Sequence, residues 1–302
     1  MGRVVMFPGQ GAQSPGMGRP WASHPAWSVV KEAEEILGEH LESLLVGDEE
    51  LTRTADAQMA MLLMGLVVHR ALADEEADDP PVAMAGHSLG QITALIAAGI
   101  LDRADGFRLA RARADATQRA VDATPSTMVA LLGADRDQAA EACAAAPNHV
   151  WPANYNAPGQ IVLGGTPEGV DAAAARASEL GVRRVRRLEV NGAFHTPLMA
   201  TAAEELGGLV AEITFRAGAV PVVANDSAAL VTDANEWPWR LLDHLIRPVR
   251  WDESVAALVE VGGQHFVEAG ADTLCALVRR ADRSLDVRSV LAPSDLAVGA
   301  QA

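Results

Sequence analysis

Apolar and polar residues follow two periods along this chain, and the switches between them mark out its elements. Val4-Val5-Met6-Phe7 is a short apolar run closed by Pro8-Gly9, which predicts a buried strand over 3–7. Apolar positions at helical spacing predict helices over about 27–45 and 56–73. Val82 to Gly86 is a second apolar run. It enters Gly86-His87-Ser88-Leu89-Gly90 and then a helical pattern, so a strand, a sharp turn and a helix are expected across 82–98. A further helix is expected over about 104–122.

The rhythm shortens after Thr124-Pro125. Strand patterns cover 127–132, 150–154, 160–164 and 182–190, with helical patterns over 135–146 and 168–180. The order strand, helix, strand, strand, helix, strand is the split-βαβ, ferredoxin-like order. Strands are expected again at Val220–Ala224 and His265–Glu268, and the residues after about Pro293 read as a loose tail. The expected fold class is therefore α/β. An α/β-hydrolase-like catalytic unit with a parallel sheet covers 1–124 and 197–302, and a ferredoxin-like subdomain is inserted over 125–196.

Composition narrows the function classes. With 49% hydrophobic and 21% charged residues over 302 positions, the chain reads as an ordinary globular protein with room for a sizeable core. The longest apolar stretch, Met59 to Val68, is about half of what a membrane span needs. The apolar run at the N-terminus is too short for a signal peptide, and Met6 stands where a myristoylation signal needs Ser or Thr. Cys143 and Cys275 show no metal-type spacing, so a reduced, cytoplasmic protein without metal is expected. A net charge of −16 argues against nucleic acid and anionic membranes as partners. The acidic run Asp74 to Asp79 reads as a solvated loop. Arginines cluster locally at Arg183, Arg184, Arg186 and Arg187, and at Arg279-Arg280, where an anionic ligand or acidic partner could dock.

The chemistry concentrates at residues 86–90. Gly-x-Ser-x-Gly between a strand and a helix is the nucleophile-elbow arrangement, with Ser88 at the turn. The hydroxyl then stands above a helix N-terminus, where N–H groups favour negative charge and a covalent acyl-serine is natural chemistry. Of the eight histidines, His195 is the candidate base, because it leaves the small subdomain in a loop that could turn back into the cleft. The side chain of His87 is expected to point away from Ser88.

Four motifs occur in order: Phe7-Pro8-Gly9-Gln10-Gly11-Ala12-Gln13, Gly86-His87-Ser88-Leu89-Gly90, Asn156-Ala157-Pro158-Gly159-Gln160-Ile161-Val162-Leu163-Gly164 and Gly192-Ala193-Phe194-His195. Together they resemble the malonyl-CoA:acyl-carrier-protein transacylases, a family that includes the acyltransferases of fatty acid and polyketide synthesis. Arg247 to Trp251 and Phe266 to Gly270 resemble its C-terminal segments. The resemblance implies roles by position. Ser88 would be the acylated nucleophile and His195 the general base. The backbone N–H groups of Gln10 and Leu89 would form the oxyanion hole. Arg113 would hold the free carboxylate of the acyl group, with a planar fork suited to it. Asn156 and Gln160 would lie near the acyl-thioester and the pantetheine arm. Two positions depart from the family pattern. His244 stands where Gln is frequent and where a backbone carbonyl orients the histidine, and Gln91 stands where Glu is frequent.

The reaction implied is a ping-pong transfer of malonyl from malonyl-CoA to the phosphopantetheine thiol of an acyl carrier protein, with no cofactor. The hydrolase order Ser, acid, His is not seen, since His195 follows Ser88 with no acid singled out between them. Two alternatives stay open. One is a serine hydrolase that clears carrier proteins; the other is a transacylase of the same family for another acyl unit, including carrier-to-carrier transfer. Phe194 beside His195 resembles the malonyl-selective pattern, in which a ring leaves little room for a branch. A monomer is expected.

Overall fold

The structure, a computed structural model, describes residues 2–75 and 79–299. β1 (Gly2–Phe7) runs into a loop and then α1 (Ser28–Leu37), α2 (Ser43–Val46) and the long α3 (Thr54–Glu75). β2 (Ala83–Gly86) leads to α4 (Gly90–Ala97) and α5 (Arg103–Ala123). Next come β3 (Thr127–Leu132), α6 (Arg136–Ala144), β4 (Val150–Ala157), β5 (Gln160–Gly165), α7 (Pro167–Glu179) and β6 (Arg184–Arg187). The chain continues through α8 (Ala200–Glu212), β7 (Val222–Val223), β8 (Leu230–Val231), α9 (Trp237–Ile246), β9 (Val249–Arg250) and α10 (Trp251–Glu260). It closes with β10 (Gly263–Ala269), α11 (Thr273–Ala281) and β11 (Asp286–Val290).

The larger sheet has the order β11-β10-β1-β2-β7-β8 and is parallel except for β8. Helices cover both faces, which is why its central strands are continuous apolar runs rather than alternating ones. The second sheet has the order β6-β3-β5-β4-β9. Its first four strands are mutually antiparallel, placed fourth, first, third, second in chain order, as the split-βαβ pattern requires. β3 alternates: Val129 and Leu131 pack under α6 and α7, while Met128 and Ala130 face the other way with Ala153, Val162, Leu188 and Phe194. β9 pairs in parallel with β4, so this sheet is completed by a strand from beyond residue 197.

Several expectations are corrected. The predicted helix over 27–45 is broken, because Gly38 adopts φ 66° and ends α1, and Glu34 Oε1 then accepts from Leu41 N and Glu42 N. In the acidic run, Asp74 and Glu75 finish α3 instead of looping, and 76–78 lie outside the described residues. Residues 293–299 form a 3₁₀ helix rather than a loose tail; Leu296 is buried, and Asp295 Oδ2 accepts from Leu291 N and Ala292 N at 2.8 Å each. Residues 300–302 lie outside the described residues. Among the described residues no helix is long and apolar enough to cross a membrane.

Candidate active site

Ser88 sits between β2 and α4 with φ 54°, a conformation costly for a residue with a Cβ. The elbow is possible only because its flanks are glycine. A Cβ on Gly86 would lie 1.8 Å from Gly90 O, and one on Gly90 would lie 2.0 Å from Phe7 O. The turn therefore packs directly on the end of β1, and the Gln10 loop lies beside Ser88 in the same cleft.

Ser88 Oγ is 2.7 Å from His195 Nε2. His195, buried and at φ 60°, lies in the loop before α8, and its Nδ1 is 2.8 Å from the carbonyl oxygen of His244 at the end of α9. Nδ1–H donating to that carbonyl leaves Nε2 bare, able to accept the serine proton. The ring of His244 stacks on that of His195, with centroids 4.8 Å apart at 29°. The orienting acceptor is a main-chain carbonyl, so the arrangement is a dyad.

Arg113 enters from α5 and is 6% exposed. Its Nη2 donates to Ser88 Oγ at 3.2 Å and its Nη1 donates to Gln58 Oε1 on α3. Gln58 Nε2 in turn donates to Thr117 Oγ1 at 2.9 Å, and Thr117 Oγ1 donates to Arg113 O at 2.8 Å. Gln58 was not singled out in the sequence. Its signal was a lone amide inside an otherwise apolar, fully buried stretch of α3.

Electrostatics follow from burial. Burial first, and then the positive charge of Arg113, push His195 down to about 3, against the raising effect of the His244 carbonyl. The imidazole is therefore neutral at working pH and ready to act as a base. Burial lowers Arg113 to about 10, which leaves it charged. His87 and His244 are also lowered by burial.

The cleft is lined by Gln10, Gln58, His87, Ser88, Leu89, Arg113, Asn154, Asn156 and His195, with an apolar wall of Met128, Val162, Leu188, Val190 and Phe194. Gln10, Leu89, Asn156 and Phe194 thus share the space around Ser88. Among the described residues, the backbone N–H groups of Gln10 and Leu89 are not engaged by a protein acceptor. Gln160 does not line the cleft. It begins β5 opposite Ala157, across the Pro158-Gly159 turn, at the tip of the hairpin. His87 also lines the cleft; its Nε2 lies 2.9 Å from Asn156 Oδ1 and its ring meets Trp251 edge to face. Among the described residues no group of three or more His, Cys, Asp or Glu could hold a metal ion.

Known proteins share this architecture. The chain is 38% identical to a malonyl CoA-acyl carrier protein transacylase of Bacillus subtilis, over 99% of this chain and 96% of the relative. A malonyl-CoA:acyl carrier protein transacylase of Xanthomonas oryzae superposes with a TM-score of 0.93 at 40% identity, over 98% of this chain and 96% of that one. A malonyl-transacylase solved in complex with its type II PKS acyl-carrier protein superposes with a TM-score of 0.93 at 31% identity, over 99% and 98%. The family model described as an acyl transferase domain matches residues 4–292, and the chain belongs to that family.

Proposed function

We propose that this chain transfers malonyl groups from malonyl-CoA to the phosphopantetheine thiol of an acyl carrier protein. The observation that carries this reading is the buried Arg113 guanidinium 3.2 Å from Ser88 Oγ, a cation placed where an acyl group on the serine would carry its far carboxylate. Ser88 Oγ attacks the thioester carbonyl while His195 Nε2 takes its proton. The developing oxyanion is received by the N–H groups of Gln10 and Leu89. The C–S bond breaks, CoA leaves with the proton from His195, and malonyl remains esterified to Ser88. The carrier thiol then gives its proton to His195 and its sulfur attacks the ester carbonyl. The C–O bond breaks and Ser88 Oγ recovers the proton.

Phe194 and Met128 belong to the apolar wall of the cleft, and a ring beside the acyl carbon would favour malonyl over branched units by about 1–3 kcal/mol per methyl. Asn156 borders the pantetheine arm. The reading includes a monomer working in the cytoplasm, where Cys143 and Cys275, both free thiols, stay reduced. It is tested by incubating the protein with malonyl-CoA and a holo carrier protein and weighing the carrier. The expected result is a carrier heavier by one malonyl group, and no gain with Ser88→Ala. Release of malonate to water at the rate of CoA release, with the carrier unchanged, would point to a hydrolase instead.

A further inference from the structure

Asn225 lies in the tight turn between β7 and β8, which is closed by Ala228 N donating to Ala224 O at 2.8 Å. It is fully buried, and its polar groups are engaged by the elbow, by α4 and by β9. Its Oδ1 accepts from Ser88 N at 2.8 Å, and its Nδ2 donates to Gly86 O at 2.7 Å. Its backbone N donates to Gln91 Oε1 on α4 at 2.7 Å, and its carbonyl accepts from Arg250 N of β9 at 2.9 Å. The next two residues, Asp226 and Ser227, receive Arg240 Nη1 from α9 at 2.7 and 2.8 Å. α9 is also the helix whose His244 carbonyl orients His195. One turn therefore ties the nucleophile, the helix behind it and the helix that aims the base.

We propose that Asn225 is a positioning residue for the nucleophile, and that Gln91 sets Asn225 in place. A non-glycine residue at positive φ persists only where its surroundings over-determine it. For Ser88, the Asn225 amide supplies that constraint on both sides of the turn, at Gly86 O and at Ser88 N. It also engages the Ser88 N–H, which leaves the oxyanion to Gln10 and Leu89. Gln91 contributes through its oxygen alone, since its Nε2 is buried without a partner among the described residues. A carboxylate there would supply the same acceptor, so the departure from Glu preserves the contact that matters.

The proposal rests on Ser88 being the acylated residue, and the test separates the two. The rate of Ser88 acylation by malonyl-CoA, read as the burst of free CoA, is measured for wild type, Asn225→Ala, Gln91→Leu and Gln91→Glu, together with KM, melting temperature and labelling by a fluorophosphonate. Asn225→Ala is expected to slow acylation by about 10²-fold, the cost of a misplaced nucleophile, with KM for malonyl-CoA within about twofold because Arg113 is untouched. Fluorophosphonate labelling should slow in parallel. Gln91→Leu should lose part of the rate, and Gln91→Glu should recover most of that loss. If Asn225→Ala does not fold, the Gln91 pair decides. Acylation at the wild-type rate in Asn225→Ala, or equal rates in the two Gln91 variants, overturns the positioning role. A wild-type protein whose Ser88 takes neither probe overturns the nucleophile reading and this proposal with it.

Discussion

Arg113 faces two demands at once. In the proposed reading it holds a carboxylate, and in the free protein its guanidinium donates to Ser88 Oγ and its charge lowers His195. A cation nearby disfavours imidazolium, so removing it must raise the pKa of His195 from about 3, although burial, the larger cause, remains. Arg113→Met keeps the buried volume while deleting the charge. With malonyl-CoA the variant should lose about 10–10²-fold in kcat/KM, matching the roughly 1.5–3 kcal/mol of a charged hydrogen bond. With acetyl-CoA, which has no carboxylate to lose, the acidic limb of the pH–kcat/KM profile should move to higher pH. A limb that stays put would show that Arg113 does not act on the base. The same reasoning gives a malonyl carboxylate a second effect. By neutralising Arg113 in the proposed complex, it would make His195 more basic when the acyl group arrives.

At the scale of elements, the features readable in the sequence were those with purely local causes. The Ser88 elbow requires Gly86 and Gly90 because backbone atoms occupy the space of their Cβ atoms, and that requirement is written in five consecutive residues. β3 to β6 are legible because each is a short run set off by turn residues or by a helical pattern. β7 falls inside the strand expected at Val220–Ala224, whereas β8 and β9, two residues each, are too short for any period to appear. Gln58 and Asn225 were missed because their partners lie 55 and 137 residues away, a contact only the fold creates. The start of α11 is fixed by a group close in sequence. Buried Glu268 at the end of β10 accepts from Thr273 N at 2.9 Å and Cys275 N at 2.8 Å, capping the helix start. At the other end, Arg279 and Arg280 in the last turn and Arg283 just beyond it line one open depression. Arg280 also donates to Pro158 O and Gly159 O of the β4–β5 turn, whereas Arg187 on β6 is paired with Asp171. We predict that an acidic carrier docks on α11, whose arginines donate to neutral carbonyl oxygens and so keep their charge uncompensated. Reversing Arg279 and Arg280 together to Glu should raise KM for the carrier by about three- to tenfold, more at low salt, and leave KM for malonyl-CoA unchanged. Equal changes in both constants would remove α11 from the docking surface.

For the whole molecule, the two sheets close over a set of histidines that the fold keeps neutral. His195 and His244 are buried beside the cleft, His87 is partly buried at it, and His69 is partly buried beside Phe7, with ring centroids 5.9 Å apart. Burial lowers all four, His69 to about 4 and His195 to about 3, from an unfolded value of 6.5. Between about pH 6.5 and pH 4 the unfolded chain therefore binds protons that the folded chain refuses. Stability from these groups is complete above pH 6.5 and is lost as pH falls through that window, by up to about 1.4 kcal/mol per pH unit for each histidine. Carboxylates held low, such as Glu34 among its hydrogen-bond donors, act in a lower window, below their ordinary value of 4.5. The urea midpoint should thus drop between pH 7 and pH 5, before carboxylates contribute, with the slope m unchanged. His69 gives the clean test because it lies outside the catalytic cleft. His69→Phe keeps an aromatic ring against Phe7 but cannot take up a proton in either state. Its stability should fall less steeply over that range than wild type, by close to one proton in the linkage slope, while malonyl transfer at pH 7 is unchanged. Parallel pH dependences for the two proteins would mean that buried histidines do not set the acid limit of this fold.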